Sequence, residues 1–299
     1  TRAVVNAAGP FADGVNALLG VETRFRHVLS KGVHLVVPRL QQKDEVVVIF
    51  AADGRPFFIM PFGELTMIGT TDTPVERPEA ACTDEDRRFI LNTANLYLKP
   101  GRRLSESDII AERCGVRPLA LEKGKKAGAD WMALSRRHKV ETDAAAKALT
   151  IFGGKLTDCL NVAEEVVSEI RRMGIALKPH DPFWPSPFSA PGALNVPGPG
   201  PESKVLFATT CSLNCVASLH PGPPLIELGG ERYTRADVER MAAEEMIVTG
   251  EDFLRRRTAL ALKAKKSGLS DQRGLREAGA IIFGEDAGND PFQPGAGGC

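Results

Sequence analysis

The chain has 299 residues, of which 43% are hydrophobic and 25% are charged, and its formal net charge is zero. Such a chain can bury a sizeable core, and its length corresponds to about two domains. The balanced charge argues against a nucleic-acid partner, so any anion site has to come from local basic residues. Because the sequence has neither a long apolar run nor the start of a secretory signal, we expect a cytoplasmic protein without a spanning helix.

Six cysteines are scattered along the chain without the paired spacing of a disulfide framework, and we interpret them as reduced thiols. Cys211 and Cys215 are close enough in sequence to suggest metal ligands. No second ligand pair accompanies them, so we predict no metal site. The other four are Cys82, Cys114, Cys159 and Cys299.

The first residues, 3–10, predict a short buried strand that runs into a Gly-Pro turn, followed by a helix to about Leu19. Because the chain begins inside a strand, we expect that a preceding segment has been lost. Several β-rich runs separated by Gly, Pro and Asp come next, which is typical of an antiparallel meander. These runs are 34–37, 46–51, 57–61 and 66–70.

A helix is predicted to begin at Thr83, whose side chain can cap the free amides of the first turn, with Asp86 at the third helical position. We expect this helix to reach about Leu98 and to stop before Pro100. Two further strand-like runs follow at 109–119 and 131–140.

The strongest local pattern is a strand at 148–152, a tight turn at 153–155 and an amphipathic helix at 157–173. Pro, Gly and Ser then cluster, and we interpret 179–230 as a linker. A helical stretch at 233–266 is predicted to open at Thr234, with Asp237 three residues on. The tail, 284–299, is predicted to be disordered.

Gly153 and Gly154 join the predicted strand to the predicted helix. The first turn of that helix offers unsatisfied amides and a positive dipole end to an electron-rich ligand, and a glycine permits close backbone approach. The alternative is a simple strand-to-helix turn. Lys155 points to an anionic partner, because a cation at a helix N-terminus is unfavourable by about 0.3–1 kcal/mol.

Three other segments contain candidate site residues. His34 stands at the start of a strand, where a structural role is the common one, but its titration near neutral pH also suits alcohol oxidation. Arg117 lies in an apolar strand end and must meet an anion, either a structural carboxylate or a substrate phosphate. Arg136 belongs to the basic cluster Ser135-Arg-Arg-His138, for which a solvated loop is the alternative.

Five motifs, in this order, resemble the FAD-dependent glycerol-3-phosphate dehydrogenase family. They are Val5-Asn-Ala-Ala-Gly-Pro10, Ser30-Lys-Gly-Val-His-Leu-Val-Val-Pro38, Ile68-Gly-Thr-Thr-Asp72, Gly115-Val-Arg-Pro-Leu119 and Phe152-Gly-Gly-Lys-Leu-Thr157. The resemblance spans about residues 4–177 and returns weakly at 233–262. Five ordered motifs are far more specific than any one alone.

The resemblance implies an α/β (α+β) fold divided into several parts. Residues 1–20 and 148–178 would belong to an FAD-binding domain, 21–147 would form an inserted antiparallel substrate domain, and 231–283 a C-terminal helical domain. The implied reaction moves hydride from C2 of glycerol 3-phosphate to FAD, and the electrons then pass to a quinone. Peripheral contact with the cytoplasmic membrane follows from the quinone, and a homodimer is a further option.

The resemblance also implies roles for individual residues. Arg117 and Arg136 would hold the substrate phosphate, His34 would lie beside the reacting hydroxyl as a candidate base, and Lys155 would lie by the flavin and the substrate. The residues that would line FAD are Ala8, Gly9, Pro10, Gly153, Gly154, Lys155, Leu156 and Thr157.

One family element is absent from the sequence, namely the first strand with its Gly-x-Gly-x-x-Gly turn for the FAD pyrophosphate. We therefore expect this chain alone to bind FAD poorly and to be inactive. The alternatives are another flavin oxidase of the same superfamily, acting on an amine or amino acid, and an inactive remnant.

Overall fold

The computed structural model describes residues 2–125, 137–177, 220–270, 273–284 and 292. The strands are β1 (Val4–Asn6), β2 (Phe25–Pro38), β3 (Val47–Phe50), β4 (Pro56–Phe62), β5 (Leu65–Gly69), β6 (Thr73–Val75), β7 (Ala111–Glu122), β8 (Lys139–Asp143), β9 (Ala148–Phe152), β10 (Pro224–Leu228) and β11 (Glu231–Thr234). The α-helices are α1 (Ala12–Leu19), α2 (Asp84–Asn95), α3 (Cys159–Arg172), α4 (Arg235–Glu244), α5 (Leu260–Lys263), α6 (Lys266–Ser270) and α7 (Arg273–Phe283). No helix in these ranges combines the length and apolar character that crossing a bilayer requires.

A small sheet has the strand order β1-β9-β8, with β1 parallel and β8 antiparallel to β9. Because β1 and β9 are parallel, the turns that follow them lie at the same edge of this sheet. The sequence assigned residues 139–143 to the antiparallel substrate domain, whereas β8 pairs with β9 through a hairpin in which Lys147 has a positive φ of 52°. The sequence predicted a strand-like run at 131–140. Among the described residues of this region, the strand is β8, which begins at Lys139 and ends at Asp143.

A larger antiparallel sheet has the order β3-β4-β5-β2-β6, and β7 pairs with the other edge of β2. The meander predicted from the spacing of the β-rich runs is present. The central strand β2 is longer than expected, since it already starts at Phe25 and pairs with β7 over most of its length. The long register between β2 and β7 aligns their side chains residue by residue.

One face of the larger sheet packs against α2. Val33, Leu35 and Val37 of β2 form a buried cluster with Ile90 and Leu91 of the helix. The helix has the predicted capping box between Thr83 and Asp86, and it ends at Asn95, slightly before the expected position. Burial of these apolar side chains leaves the opposite face of the sheet for other contacts.

That opposite face has apolar contacts at its two ends and polar groups between them. At one end Val28 packs with Leu119 and Leu121. At the other end Val36 packs in a cluster that includes Ala259 and Leu262 from the C-terminal part of the chain.

The C-terminal part contains the hairpin β10–β11, which packs with α4 and α7 around a shared apolar core. The sequence interpretation placed a linker up to residue 230, whereas β10 already occupies Pro224–Leu228. The helical stretch predicted at 233–266 was too long, because α4 ends at Glu244. Gly229 and Gly230 have φ values of 62° and 76°, as a tight hairpin turn requires. The helix starts at Arg235, directly after the predicted N-cap Thr234, and the predicted capping box of Thr234 and Asp237 is present.

The predicted disordered tail was wrong at one described position. Phe292 is 8% exposed, and its ring lies 5.7 Å from that of Phe253 and 6.3 Å from that of Phe283. The apolar core of the C-terminal part therefore extends to this residue, because a large aromatic side chain gains free energy from burial wherever the chain can reach a core.

Candidate active site

The polar middle of the larger sheet contains two of the predicted site residues. Cross-strand pairing sets Ser30 opposite Arg117, Gly32 opposite Gly115, and His34 opposite Arg113. Since alternate residues of a strand share a face, His34 and Arg117 lie on the same face, away from α2.

Arg117 extends over Gly32, where a β-carbon would lie 2.1 Å from its Nη2. Nη2 donates to Thr70 Oγ1 at 2.9 Å, and Nη1 donates to the Thr71 carbonyl at 3.3 Å. Nη1 also lies 3.6 Å from a carboxylate oxygen of Asp72.

Asp72 is therefore the structural carboxylate that the sequence left open as a partner for Arg117. It also accepts a hydrogen bond from Ser30 Oγ, so its negative charge is shared between two donors. Sequence reasoning quoted Ile68-Gly-Thr-Thr-Asp72 as a motif but assigned no role to it. The positions of Thr70 and Asp72 next to Arg117 supply that role.

His34 is partly buried beside Arg117, and Gly69 packs against its ring. Burial, and then the positive charges of Arg113 and Arg117, lower the pKa of His34 to about 4. The imidazole is thus neutral at neutral pH, and one ring nitrogen has a lone pair that can accept a proton. A β-carbon at Gly69 would lie 2.7 Å from Cδ2 of this ring, so Gly69 provides the space that the ring occupies.

Lys31 belongs to the same motif but points to the other face. Its Nζ lies 2.5 Å from Asp86 Oδ2, and both side chains are buried. This lysine joins β2 to α2 and takes no part in the polar site.

The second group of predicted residues lies at one edge of the small sheet. The turn Ala8–Pro10 follows β1, and the turn from Gly153 to Thr157 follows β9. Ligands of α/β folds bind outside the carboxyl ends of parallel strands, which is where both turns meet.

A buried polar network fixes the first of these turns. Asn6 donates to the Ala12 carbonyl at 2.8 Å and to Asn16 Oδ1 at 2.7 Å, and its own Oδ1 accepts from the Ala8 amide at 3.2 Å. Thr150 of β9 donates to the same Asn16 oxygen at 2.7 Å. The sequence contained Asn6 in a motif, but the network through Asn16 and Thr150 could not be anticipated from it.

The second turn is held from within the protein by a histidine. The Gly153 amide donates to His27 Nε2 at 3.3 Å, and the backbone at Gly153 and Gly154 has φ values of 65° and 95°. Such values favour glycine. His27 was missed by sequence reasoning because its partner is far away along the chain.

Lys155 is exposed and, together with Arg137, Thr157 and Asp158, lines a shallow pocket of about 360 Å³. The sequence predicted an anionic partner for this lysine. The carboxylate of Asp158 supplies a negative charge nearby, since Lys155 contributes to lowering the pKa of Asp158, after the hydrogen bonds from Asn161 and His138. Arg136 lies outside the described residues, as do Cys211 and Cys215.

The residues at this sheet edge fit an FAD ring system. A β-carbon at Gly9 would meet no described atom within 4 Å, so the backbone there is open to a ligand, whereas β-carbons at Gly153 and Gly154 would point toward Ala120 and His138. Leu156 is 91% exposed and offers an apolar surface that a planar ring could cover.

The two groups of residues adjoin through β7. A β-carbon at Gly153 would lie 3.4 Å from the amide nitrogen of Ala120, which follows Arg117 by three residues in the same strand. The turn after β9 therefore contacts the strand that contains the arginine. A larger cleft of about 760 Å³ adjoins the first of the two turns, and its lining includes Pro10, Asp13 and His27.

Comparison with known proteins agrees with these features. Residues 1–175 match the protein family described as FAD dependent oxidoreductase. The sequence is 30% identical over 287 residues to a glycerol-3-phosphate dehydrogenase of Pseudomonas tolaasii, covering 87% of this chain and 54% of the relative. It is 33% identical over 170 residues to the mitochondrial glycerol-3-phosphate dehydrogenase of Macaca fascicularis, covering 56% of this chain and 23% of the relative.

A similar solved structure is the glycerol-3-phosphate dehydrogenase of Bacillus halodurans complexed with FAD. The identity is 32% and the TM-score is 0.46, with 57% of this chain and 32% of that chain covered. This chain thus spans about half of the bacterial relative from Pseudomonas tolaasii, and about a quarter of the mitochondrial one.

Proposed function

Because this chain belongs to the family of FAD dependent oxidoreductases, we propose that it contributes the substrate site and part of the flavin site of an enzyme that oxidises sn-glycerol 3-phosphate to dihydroxyacetone phosphate. The observation that carries the proposal is the position of Arg117 beside a neutral His34 on one face of the larger sheet. A cation for a phosphate and an acceptor for a hydroxyl proton are the two groups that this reaction needs.

Arg117 holds the substrate phosphate in this proposal, with Arg136 as a second donor. The planar guanidinium suits a phosphate because it can donate two parallel hydrogen bonds. Asp72 keeps the guanidinium charge partly balanced at 3.6 Å, a distance that leaves the pair weaker than a close ion pair. Anchoring the phosphate fixes the orientation of the small substrate at its reacting carbon.

His34 acts as the base that accepts the proton of the C2 hydroxyl. Its pKa of about 4 ensures that the ring is neutral at neutral pH, and it also makes the ring a weak base in the substrate-free chain. Binding of a phosphate dianion at Arg117 would raise that pKa, since it offsets one of the two positive charges that lower it. FAD, when bound, supplies the acceptor for the hydride that leaves C2.

The residues at the edge of the small sheet are proposed to hold FAD. Gly9 permits close approach of the backbone, because a β-carbon there would meet no described atom within 4 Å. The remaining lining residues are proposed to be Ala8, Pro10, Gly153, Gly154, Leu156 and Thr157. Lys155 is proposed to lie near both flavin and substrate, where its exposed ammonium supplies positive charge.

The proposal is tested on two proteins, namely this chain and a version extended by a family-type N-terminal FAD segment. Each protein is mixed with FAD and then with glycerol 3-phosphate, and the retained flavin and its absorption are measured. We expect the extended version to retain flavin. We also expect glycerol 3-phosphate to bleach the absorption of that flavin. Failure of both proteins to retain flavin would support the remnant alternative. Bleaching by an amino acid, but not by glycerol 3-phosphate, would support the amine or amino-acid oxidase alternative.

We further propose that the enzyme to which this chain contributes passes electrons to a quinone and contacts the cytoplasmic membrane peripherally, as a homodimer. These steps rest on the similarity to glycerol-3-phosphate dehydrogenases. Cosedimentation of the extended version with lipid vesicles tests the membrane contact, and a protein that remains wholly in the supernatant would contradict it.

A further inference from the structure

His138 lies between two carboxylates, one from the residue directly before α3 and one from within that helix. Its Nδ1 is 2.6 Å from Asp158 Oδ2, and its Nε2 is 2.8 Å from Glu165 Oε2. The side chain is only 15% exposed. Both ring nitrogens therefore face acceptors within hydrogen-bond distance.

The same histidine packs against the turn that follows β9. A β-carbon at Gly154 would lie 3.2 Å from Cβ of His138. Asp158 ends this turn and stands directly before α3, whereas Glu165 lies further along the helix. His138, next to the first residue of β8, thus connects that strand to the turn at 153–158 and to α3.

A neutral imidazole has a proton on only one of its nitrogens, so it can donate to only one of these carboxylates. With the ring neutral, the second nitrogen would present a lone pair to a negatively charged oxygen at 2.8 Å or less. Both contacts are favourable only when the ring has two protons.

We propose that His138 is a positioning residue whose doubly protonated form holds the turn at 153–158 against β8, and whose deprotonation loosens that turn. The consequence for the flavin rests on the proposed function, in which this turn lines FAD. The positioning itself depends only on contacts within this chain.

The electrostatic surroundings of the ring agree with this role. The hydrogen bond to Glu165 raises the pKa of His138, partial burial opposes the rise, and the hydrogen bond and charge of Asp158 add to it. The nearby cations Lys155 and Arg137 line a pocket with Asp158. The contact is complete below the ordinary histidine pKa of about 6.5 and is lost as the pH rises through the higher pKa of the folded state.

The test measures hydrogen exchange of the amides at 153–165 in the full chain as the pH is raised, corrected for the intrinsic exchange rate. Nuclear magnetic resonance of the histidine rings gives the pKa of His138 in the same protein. The reference is the pKa that His138 has when the turn is open. Linkage requires the protection factor to fall by about tenfold for each unit by which the measured pKa of His138 exceeds this reference. Protection that is constant across this pKa would overturn the proposal.

Variants separate protonation from simple packing. His138→Arg has a permanent charge and two donor edges, so the turn should remain protected at high pH. His138→Gln has no titrating group, so the step in protection should disappear. Glu165→Gln removes one acceptor charge and should move the step to lower pH. A step that survives unchanged in His138→Gln would contradict the role of His138.

His220 provides the matched control, because its Nδ1 lies 2.8 Å from Asp237 in the C-terminal part of the chain. His220→Gln should leave the step at 153–165 unchanged. If the His138 variants fail to fold, the titration of the unmodified chain still decides the outcome. The result is independent of flavin: a pH step without flavin bleaching supports the positioning role while contradicting the proposed reaction.

Discussion

The guanidinium of Arg117 lies over the backbone of Gly32 in the neighbouring strand, so close that a β-carbon at Gly32 would lie 2.1 Å from Nη2. Gly115 stands directly opposite Gly32 in the register. The glycine at position 32 thus creates the space in which the arginine reaches Thr70 and Asp72. The atoms that a side chain would meet are the flexible end of Arg117, so a substitution should displace the arginine and leave the sheet intact.

Gly32→Ala should therefore weaken binding of glycerol 3-phosphate by about tenfold, equivalent to ~1.4 kcal/mol, with little loss of thermal stability. Isothermal titration calorimetry on the FAD-loaded extended protein measures the affinity. Gly115→Ala is the matched control, because a β-carbon there meets no atom within 4 Å among the described residues. Equal losses of affinity in both variants would show that the effect comes from the strands in general.

Arg117→Met should weaken phosphate binding further, since a hydrogen bond to a charged group contributes about 1.5–3 kcal/mol, or roughly 10- to 100-fold. Arg117→Lys should recover only part of the loss, because an ammonium cannot donate two parallel bonds. Arg113→Met removes the same charge from the same face and should have a smaller effect. Unchanged substrate affinity in Arg117→Met would favour an amine or amino-acid oxidase.

His34 should titrate with a pKa of about 4 in the substrate-free chain. Because the folded pKa lies below the unfolded value of about 6.5, the stabilisation of the neutral ring is present above pH 6.5 and is lost as the pH falls toward 4. Arg117→Met should raise the pKa by removing one of the positive charges. Nuclear magnetic resonance of the ring protons measures both values, and an unshifted pKa in the variant would contradict the electrostatic link.

Lys31→Met should destabilise the chain by about 3–5 kcal/mol, because it leaves the buried carboxylate of Asp86 without its cation. Denaturant unfolding measures the loss. Lys43→Met, at a lysine that is 80% exposed, is the control and should change stability by less than about 0.5 kcal/mol.

The same ion pair makes the stability of the folded chain depend on pH in the acid range. Burial raises the pKa of Asp86, but the hydrogen bonds from Lys31 and Thr83 outweigh it, so the pKa lies below its ordinary value of 3.8. The stabilisation is present above that ordinary value and is lost as the pH falls through the folded pKa. The loss of stability in Lys31→Met should therefore be largest at neutral pH and should shrink as the pH falls below that ordinary value, and a loss that is equal at both would contradict this account.

Sequence alone predicted the features that depend on neighbouring residues. The capping boxes at Thr83 and Thr234 were correct, because a cap forms between residues three positions apart. The strand, glycine turn and helix from 148 onward were also correct. The hairpin at Gly229-Gly230 was missed although two adjacent glycines between apolar runs are a recognised turn signal.

The tertiary structure decided which distant residues meet. The sequence left open which anion Arg117 meets, and the register of β2, β5 and β7 brings Asp72 to it. It contained His138 beside a basic cluster, yet only the pairing of β8 with β9 sets that ring between Asp158 and Glu165. Local patterns reflect short-range backbone energetics, whereas these contacts depend on strand register and packing, which no single segment determines.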